Sequence, residues 1–313
     1  MRILEIIVPV IFMIALGFGA RATGYITREQ ADGAKNIAFK VLFPFLIYNA
    51  TFHAELRADY ILIIAYIYVA YVALMFVCGK LGGWVGSTYR RIAGFLVATT
   101  EGGGVALPLY ITLVASQNML NIVMFDIGGM FCVLSIIAYV EKNVAGAVAP
   151  KTVVKAIIRN PIIIAMIVGL VLNALGVGKG MADSGLAGLN DAVANMITRP
   201  IEGIVLFVLG YELKLEISMI GALLRMLALR LAAAAAIIGG FFLLFADRMA
   251  QQPFLVATVL YFLGPPSFMM TTLIGPYCDD ERQKAFISAF LPLNVMLTII
   301  VYLGLAVFVG RAG

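Results

Sequence analysis

The chain has 313 residues, of which 63% are hydrophobic and 12% charged, against roughly 45 to 50% and 25% in a soluble globular domain. A mean hydropathy of +1.03, spread over the whole length, excludes a soluble enzyme and leaves a polytopic membrane protein. The net charge of +5 calls for no nucleic-acid partner, because topology and anionic lipid headgroups account for it. The single histidine, His53, and the scattered Cys78, Cys132 and Cys278 give neither metal-ligand spacing nor a disulfide framework, so no cofactor is expected.

About 20 mostly apolar residues cross the hydrocarbon once. Ten such stretches are read, near residues 3–20, 36–52, 59–78, 92–114, 119–139, 157–177, 196–213, 222–245, 253–275 and 285–309. The first ends near Ala20-Arg21-Ala22 and imitates a signal peptide, but its pattern recurs later in the chain and it is read as a span. With the N-terminus outside, the cytoplasmic loops carry 16 Lys and Arg and the opposite side 6. Both termini therefore face away from the cytoplasm. No Lys or Arg is placed at mid-depth; Lys40 and Arg230 are expected to snorkel to the cytoplasmic surface.

The chain repeats itself. Phe95 to Thr99 reads FLVAT, and so does Phe254 to Thr258. Pro44 answers Pro200, Gly17 and Gly24 answer Gly169 and Gly176, and Ser135 to Tyr139 answers Thr298 to Tyr302. A five-helix unit crosses the membrane an odd number of times, so its second copy enters from the other side. The expected fold is all-α, with ten transmembrane helices as two inverted five-helix repeats. Residues 1–140 and 157–313 are the repeats and 141–156 a cytoplasmic linker. Inverted repeats with interrupted helices point to a secondary transporter.

The fourth span contains Glu101-Gly102-Gly103-Gly104 and Pro108, and the ninth Gly264-Pro265-Pro266. Consecutive glycines weaken a helix, and two prolines remove donors and clash with the preceding turn. Freed backbone groups at that depth need protein, water or ligand partners, and half-helix starts suit an anion. Glu101, Asp126 and Glu202 fall within spans, where an acid is expensive, at roughly 2.5 to 3.5 kcal/mol, and marks a pathway. Glu101 is read first as the ion-coupling residue, then Asp126 beside Gly128 and Gly129, with Glu202 nearer the outer end. Such an acid carries a proton or, ionised, ligates sodium near Glu101 and Asp126. Tyr48, Asn49, Thr99, Thr100, Ser267 and Asn294 are neutral groups able to complete a substrate site. His53 is assigned to an outer loop, and Gly79, Gly82, Gly83 and Gly86 to a turn.

On these residues the chain resembles the auxin efflux carrier family. Glu101 to Pro108 reads EGGGVALP, Pro200 to Leu213 reads PIEGIVLFVLGYEL, Pro266 is followed by Tyr277-Cys278-Asp279, and Gly24-Tyr25-Ile26 leads to Pro44. The resemblance implies ten helices with broken, crossing helices 4 and 9. It also implies a scaffold of helices 1, 2, 6 and 7 that forms a homodimer, and a transport group of helices 3–5 and 8–10. The implied cargo is a small organic anion such as an auxin, malate or malonate, moved with protons or sodium. Two positions depart from the pattern: Glu101 stands where Asn is usual, and Cys278 where Gly is. The short linker looks bacterial, and an inner-membrane location is expected.

Two other classes stay in view. Asp279-Asp280-Glu281 suggests a membrane enzyme acting on a lipid diphosphate, but the second acidic cluster it needs is missing from the sequence. A passive channel differs by flux without ion coupling.

Overall fold

The computed structural model describes residues 2–53, 59–114, 118–143, 155, 159, 161–177, 187–212, 219–268 and 270–312. Every regular element among them is helical. The chain divides into two compact units, each drawing on both halves of the sequence. The first comprises Met1–Arg57, Leu107–Leu120 and Lys155–Leu213, and the second Ala58–Ala106, Asn121–Val154 and Lys214–Gly313.

The first unit contains α1 (Arg2–Ala22), α2 (Arg28–Ile37) and α3 (Phe43–Phe52), then α6 (Leu107–Leu113), α8 (Pro161–Ala174) and α9 (Ala187–Glu212). The second span was expected to begin near residue 36, but helix starts at Arg28. Thr27 caps it: its hydroxyl accepts from the Gln30 amide at 3.3 Å while the Gln30 side chain accepts from the Thr27 amide at 2.9 Å. This reciprocal cap satisfies two otherwise orphaned donors. A widened turn, Ala38–Leu42, joins α2 to α3 and lets the helix pass Pro44, whose ring would crowd a regular preceding turn. The seventh span also starts earlier than expected, at Ala187.

Glycines bring the helix backbones of this unit together. A Cβ at Gly17 would collide with the backbone of Phe207 and Tyr211, and one at Gly210 with that of Ile14, so α1 lies directly on α9. A Cβ at Gly169 would collide with the Thr51 hydroxyl and the Tyr48 carbonyl, so α8 lies directly on α3. Small residues permit this approach where hydrocarbon offers no hydrophobic drive. Gly24 (φ 69°) follows α1 and Gly176 (φ 72°) follows α8, in the left-handed conformation that commonly ends a helix. Asn173 Nδ2 donates to the Thr51 carbonyl at 2.9 Å, and Arg21 Nη1 to that of Tyr211 at 3.0 Å.

The second unit holds α4 (Asp59–Leu81), α5 (Arg90–Val97), α7 (Leu120–Asn143), α10 (Ile220–Leu244) and α11 (Ala246–Met249). It continues with α12 (Gln252–Phe262), α13 (Met270–Leu273) and α14 (Glu281–Ala312). Among the described residues, four helices are long and apolar enough to cross a membrane: Asp59–Trp84, Leu120–Val140, Ile220–Leu244 and Glu281–Gly310. A bent pair, Ser87–Val97 and Gly102–Leu113, is a fifth if taken as one span. α4 is apolar all round yet buries one stripe, Ile63, Ile67, Tyr71, Met75 and Cys78, leaving Ile61, Leu62, Val69 and Phe76 facing outward. That division suits a lipid-facing helix. Of the glycines assigned to a turn, Gly79 lies within α4, whereas Gly82 and Gly83 form a tight turn with Gly82 against the Arg90 backbone; His53 is exposed.

Gly17→Ala and Gly210→Ala are each expected to push α1 from α9 and destabilise the protein by about 1–3 kcal/mol. Gly19→Ala, which meets open space, leaves stability unchanged; thermal unfolding of the detergent-solubilised protein checks all three.

Candidate functional site

Both interrupted helices break where the sequence places glycine and proline. Helix α5 ends at Val97 and regular structure resumes with a widened turn, Gly102–Ala106, that runs into α6; the path bends by 68°. Helix α12 ends at Phe262, and the buried Gly264-Pro265-Pro266 precedes α13. The two breaks touch. The Glu101 amide donates to the Pro265 carbonyl at 2.8 Å, and the Ser267 amide to the Thr99 hydroxyl at 3.4 Å.

Glu101 ties together the chain that leaves each break. Its Oε1 accepts from the Gly104 amide at 3.1 Å and its Oε2 from the Phe268 amide at 2.8 Å. A carboxylate on amides freed at a helix start is favourable both as a hydrogen-bond acceptor and against the helix dipole. Asp126, on α7, meets the same start from the other side. Its carboxylate packs against Gly102 and accepts from the Tyr261 hydroxyl at 3.3 Å. A Cβ at Gly102 would occupy the space of that carboxylate, so glycine is required there for the approach. Glu101 and Asp126 are both partly buried.

Arg230 satisfies the opposite ends. The expectation that it snorkels to the surface is wrong: it lies near the middle of α10 and is 4% exposed. Its guanidinium donates to the Leu96 carbonyl at 2.5 Å, Val97 at 3.4 Å, Thr99 at 2.9 Å and Gly264 at 2.7 Å, and to the Thr100 hydroxyl at 3.2 Å. These oxygens lie in the last turn of α5 or just beyond the ends of α5 and α12, where carbonyls have lost their helical partners. A planar fork with five N–H donors matches them, and the carbonyl ends of two helix dipoles offset the burial of the charge. The positional signal was present, since Arg230 stands ten residues inside an uninterrupted apolar helix.

Neighbouring side chains complete this framework. Tyr71 shares a 2.7 Å hydrogen bond with Thr100, and Thr298 donates to the Leu263 carbonyl at 3.2 Å. Asn294, one turn earlier on α14, is fully buried; its Nδ2 donates to the Phe290 carbonyl at 2.8 Å, while its buried Oδ1 has no partner among the described residues. An unpaired buried acceptor is unusual and marks a place able to receive a donor.

Of the expected site residues, Glu101, Gly102, Gly103, Gly104, Asp126, Gly264, Pro265, Pro266 and Ser267 are brought together by the two breaks. Pro108, Tyr48, Asn49 and Glu202 belong to the first unit. There, Pro108 is buried in α6, Tyr48 packs its ring against Phe45 and Phe52, and Asn49 buries an Oδ1 that has no partner among the described residues. Glu202 lies on α9, but its side chain falls outside the described residues. Among the described residues no group of three His, Cys, Asp or Glu side chains is arranged to hold a metal ion.

Residues 2–138 match the family model described as membrane transport protein, that of the auxin efflux carriers. The match covers the first break, Glu101 and Asp126. No curated protein matches the chain. The long apolar helices mark an integral membrane protein, and the match makes its first 138 residues similar to a transport family.

Replacing Arg230 by Met leaves several buried carbonyls unpaired and is expected to lower stability by about 3 kcal/mol or more. Arg230→Lys should recover only part of this, because a single ammonium lacks the fork that reaches all five oxygens. Melting temperatures of the purified variants test both expectations.

Proposed function

We propose that this chain, whose residues 2–138 are similar to the membrane transport protein family, is a secondary active transporter that carries a small organic anion together with protons. Alternating access takes place around the two broken helices, with the substrate close to Glu101. One observation carries the reading: the Glu101 carboxylate holds amides on the exit side of both breaks, Gly104 and Phe268. Protonating Glu101 removes its charge and weakens its hold on those two donors. The carboxylate of a substrate is the natural replacement, because it offers the same acceptors to the same amides.

Charge balance favours the same exchange. Glu101, Asp126 and Arg230 together carry one net negative charge. An anion arriving alone would raise the charge of a site screened from water, whereas an anion arriving with a proton leaves it unchanged. Arg230 also favours protons over sodium as the coupling ion, since its guanidinium takes the carbonyl oxygens that a hard cation would need. Asp126, packed against Gly102 and hydrogen-bonded to Tyr261, is the second acid able to hold the proton. The uncommitted Oδ1 of Asn294 suits a hydroxyl or amide donor on the substrate.

Other features support the wider reading of two inverted repeats. Gly17 and Gly169, matched by sequence, each seat their helix on a neighbour from the other half of the chain, and Gly24 and Gly176 share a left-handed conformation. The first unit gathers residues 1–57 and 155–213, the segments assigned to scaffold helices 1, 2, 6 and 7. The scaffold homodimer and inward-facing basic loops belong to the same proposal, resting on the family resemblance and the asymmetry of Lys and Arg.

Flux into proteoliposomes containing a pH dye tests the reading, with malate, malonate and indole acetate added in turn, with and without a sodium gradient. A saturable pH change that depends on one anion, ignores sodium and disappears in Glu101→Gln is expected. Asp126→Asn should slow that flux about tenfold or more, the equivalent of one hydrogen bond to a charged group. Sodium-driven uptake of labelled anion without a pH change would overturn proton coupling, and non-saturable passive flux would favour a channel.

A further inference from the structure

The end of α5 remote from the break borders a cavity of about 420 Å3 that lies wholly within the second unit. Its polar lining is Lys80, Ser87, Arg90, Arg91, Tyr139 and Tyr277. Arg91 pairs with Asp279 and stacks over the Tyr277 ring at 4.0 Å. No carboxylate pairs with Lys80 or Arg90 among the described residues. Three cations thus converge with one carboxylate to offset them, and three hydroxyls stand beside them as donors. The floor is apolar, with Met75, Gly94 and Phe95. At the rim, α4 turns apolar side chains outward: Phe76, Val77 and Leu81 are 51%, 50% and 53% exposed.

We propose that this cavity binds the phosphate headgroup of an anionic membrane phospholipid. The excess positive charge and the hydroxyls select a phosphate oxyanion, for which arginine is the best-matched donor. The outward apolar stripe of α4 continues from the cavity along the face that meets lipid and gives the acyl chains a path. A soluble phosphate ester shares the headgroup chemistry but gains nothing from that stripe. Basic pockets between helices at the membrane boundary are suited to this kind of lipid.

The site bears on the broken helix. The first turn of α5 supplies Arg90 and Arg91 to the cavity, and its last turn supplies the Leu96 and Val97 carbonyls held by Arg230. A bound headgroup therefore anchors one end of an eight-residue half-helix whose other end forms the crossing. The lipid would act as a structural ligand that steadies the first break.

The full-length protein, reconstituted in phosphatidylcholine vesicles with or without phosphatidylglycerol and then extracted into detergent, provides the test. Retained lipid is measured by mass spectrometry and stability by thermal unfolding. Phosphatidylglycerol should be retained in preference to phosphatidylcholine and should raise the melting temperature. The pair Lys80→Gln and Arg90→Gln should weaken retention at least about tenfold, while Lys80→Arg with Arg90→Lys preserves it. Both positions are exposed, so an unchanged melting temperature of the glutamine pair in phosphatidylcholine alone shows that the fold is intact. Millimolar glycerol phosphate should leave retention unaltered; if it displaces the lipid, the ligand is a soluble phosphate ester and the lipid assignment falls. Equal retention of the two lipids, or retention unaffected by the glutamine pair, would overturn the site altogether.

Discussion

A helix interrupted inside a membrane exposes carbonyls at the end of its first half and amides at the start of its second, in a place where water is not available to satisfy them. This constraint organises the second unit. Arg230 answers the carbonyls after α5 and α12 with one guanidinium. Glu101 answers the amides of Gly104 and Phe268 with its carboxylate, and Asp126 packs against Gly102 from the other side. Each charge sits at the helix end whose dipole favours it. The burial of charge and the breakage of helix, each costly alone, offset one another.

The same balance makes the crossing suited to change. A structure closed by backbone hydrogen bonds alone responds little to protons, whereas one closed by carboxylates on amides is altered by a single protonation. The amides cradling Glu101 are those an organic carboxylate would seek, so in the proposed function protein and substrate would compete for one set of donors. The surrounding contacts are less negotiable: Tyr71 and Thr298 hold the entry side of the breaks, and the prolines deny it a return to regular helix. The exit side depends on groups that titrate, and the entry side on one that does not.

Packing in the first unit follows a different rule. There the contacts are backbone against backbone, made possible by Gly17, Gly169 and Gly210. Such surfaces tolerate no added methyl group and hold helices at one separation. The second unit has such contacts as well, at Gly82 and Gly94, and adds an aromatic cluster in which Phe125 and Phe241 each touch the rings of Phe254 and Phe262 next to Tyr261.

Much of this was legible in the sequence. The apolar runs, the Gly-Gly-Gly and Gly-Pro-Pro interruptions and the acids beside them required only hydropathy, helix propensity and the expense of a buried carboxylate to be recognised. Those are local properties, set by residues within a few turns of one another. The second span's early start was also local, written in Thr27 and Gln30, and was missed because an amphipathic first turn carries no membrane signal. What only the tertiary structure decided is which distant groups meet. Arg230 is separated from Leu96 by more than a hundred residues, and its burial depended on two breaks, from opposite halves of the chain, presenting their carbonyls to the same point. Asp126 and Gly102 likewise come together through a crossing that spacing cannot reveal. Sequence by itself determined where the helices must fail; the three-dimensional fold decided which charges repair them, because hydrogen-bond partners in a membrane are chosen by proximity in space and not by order along the chain.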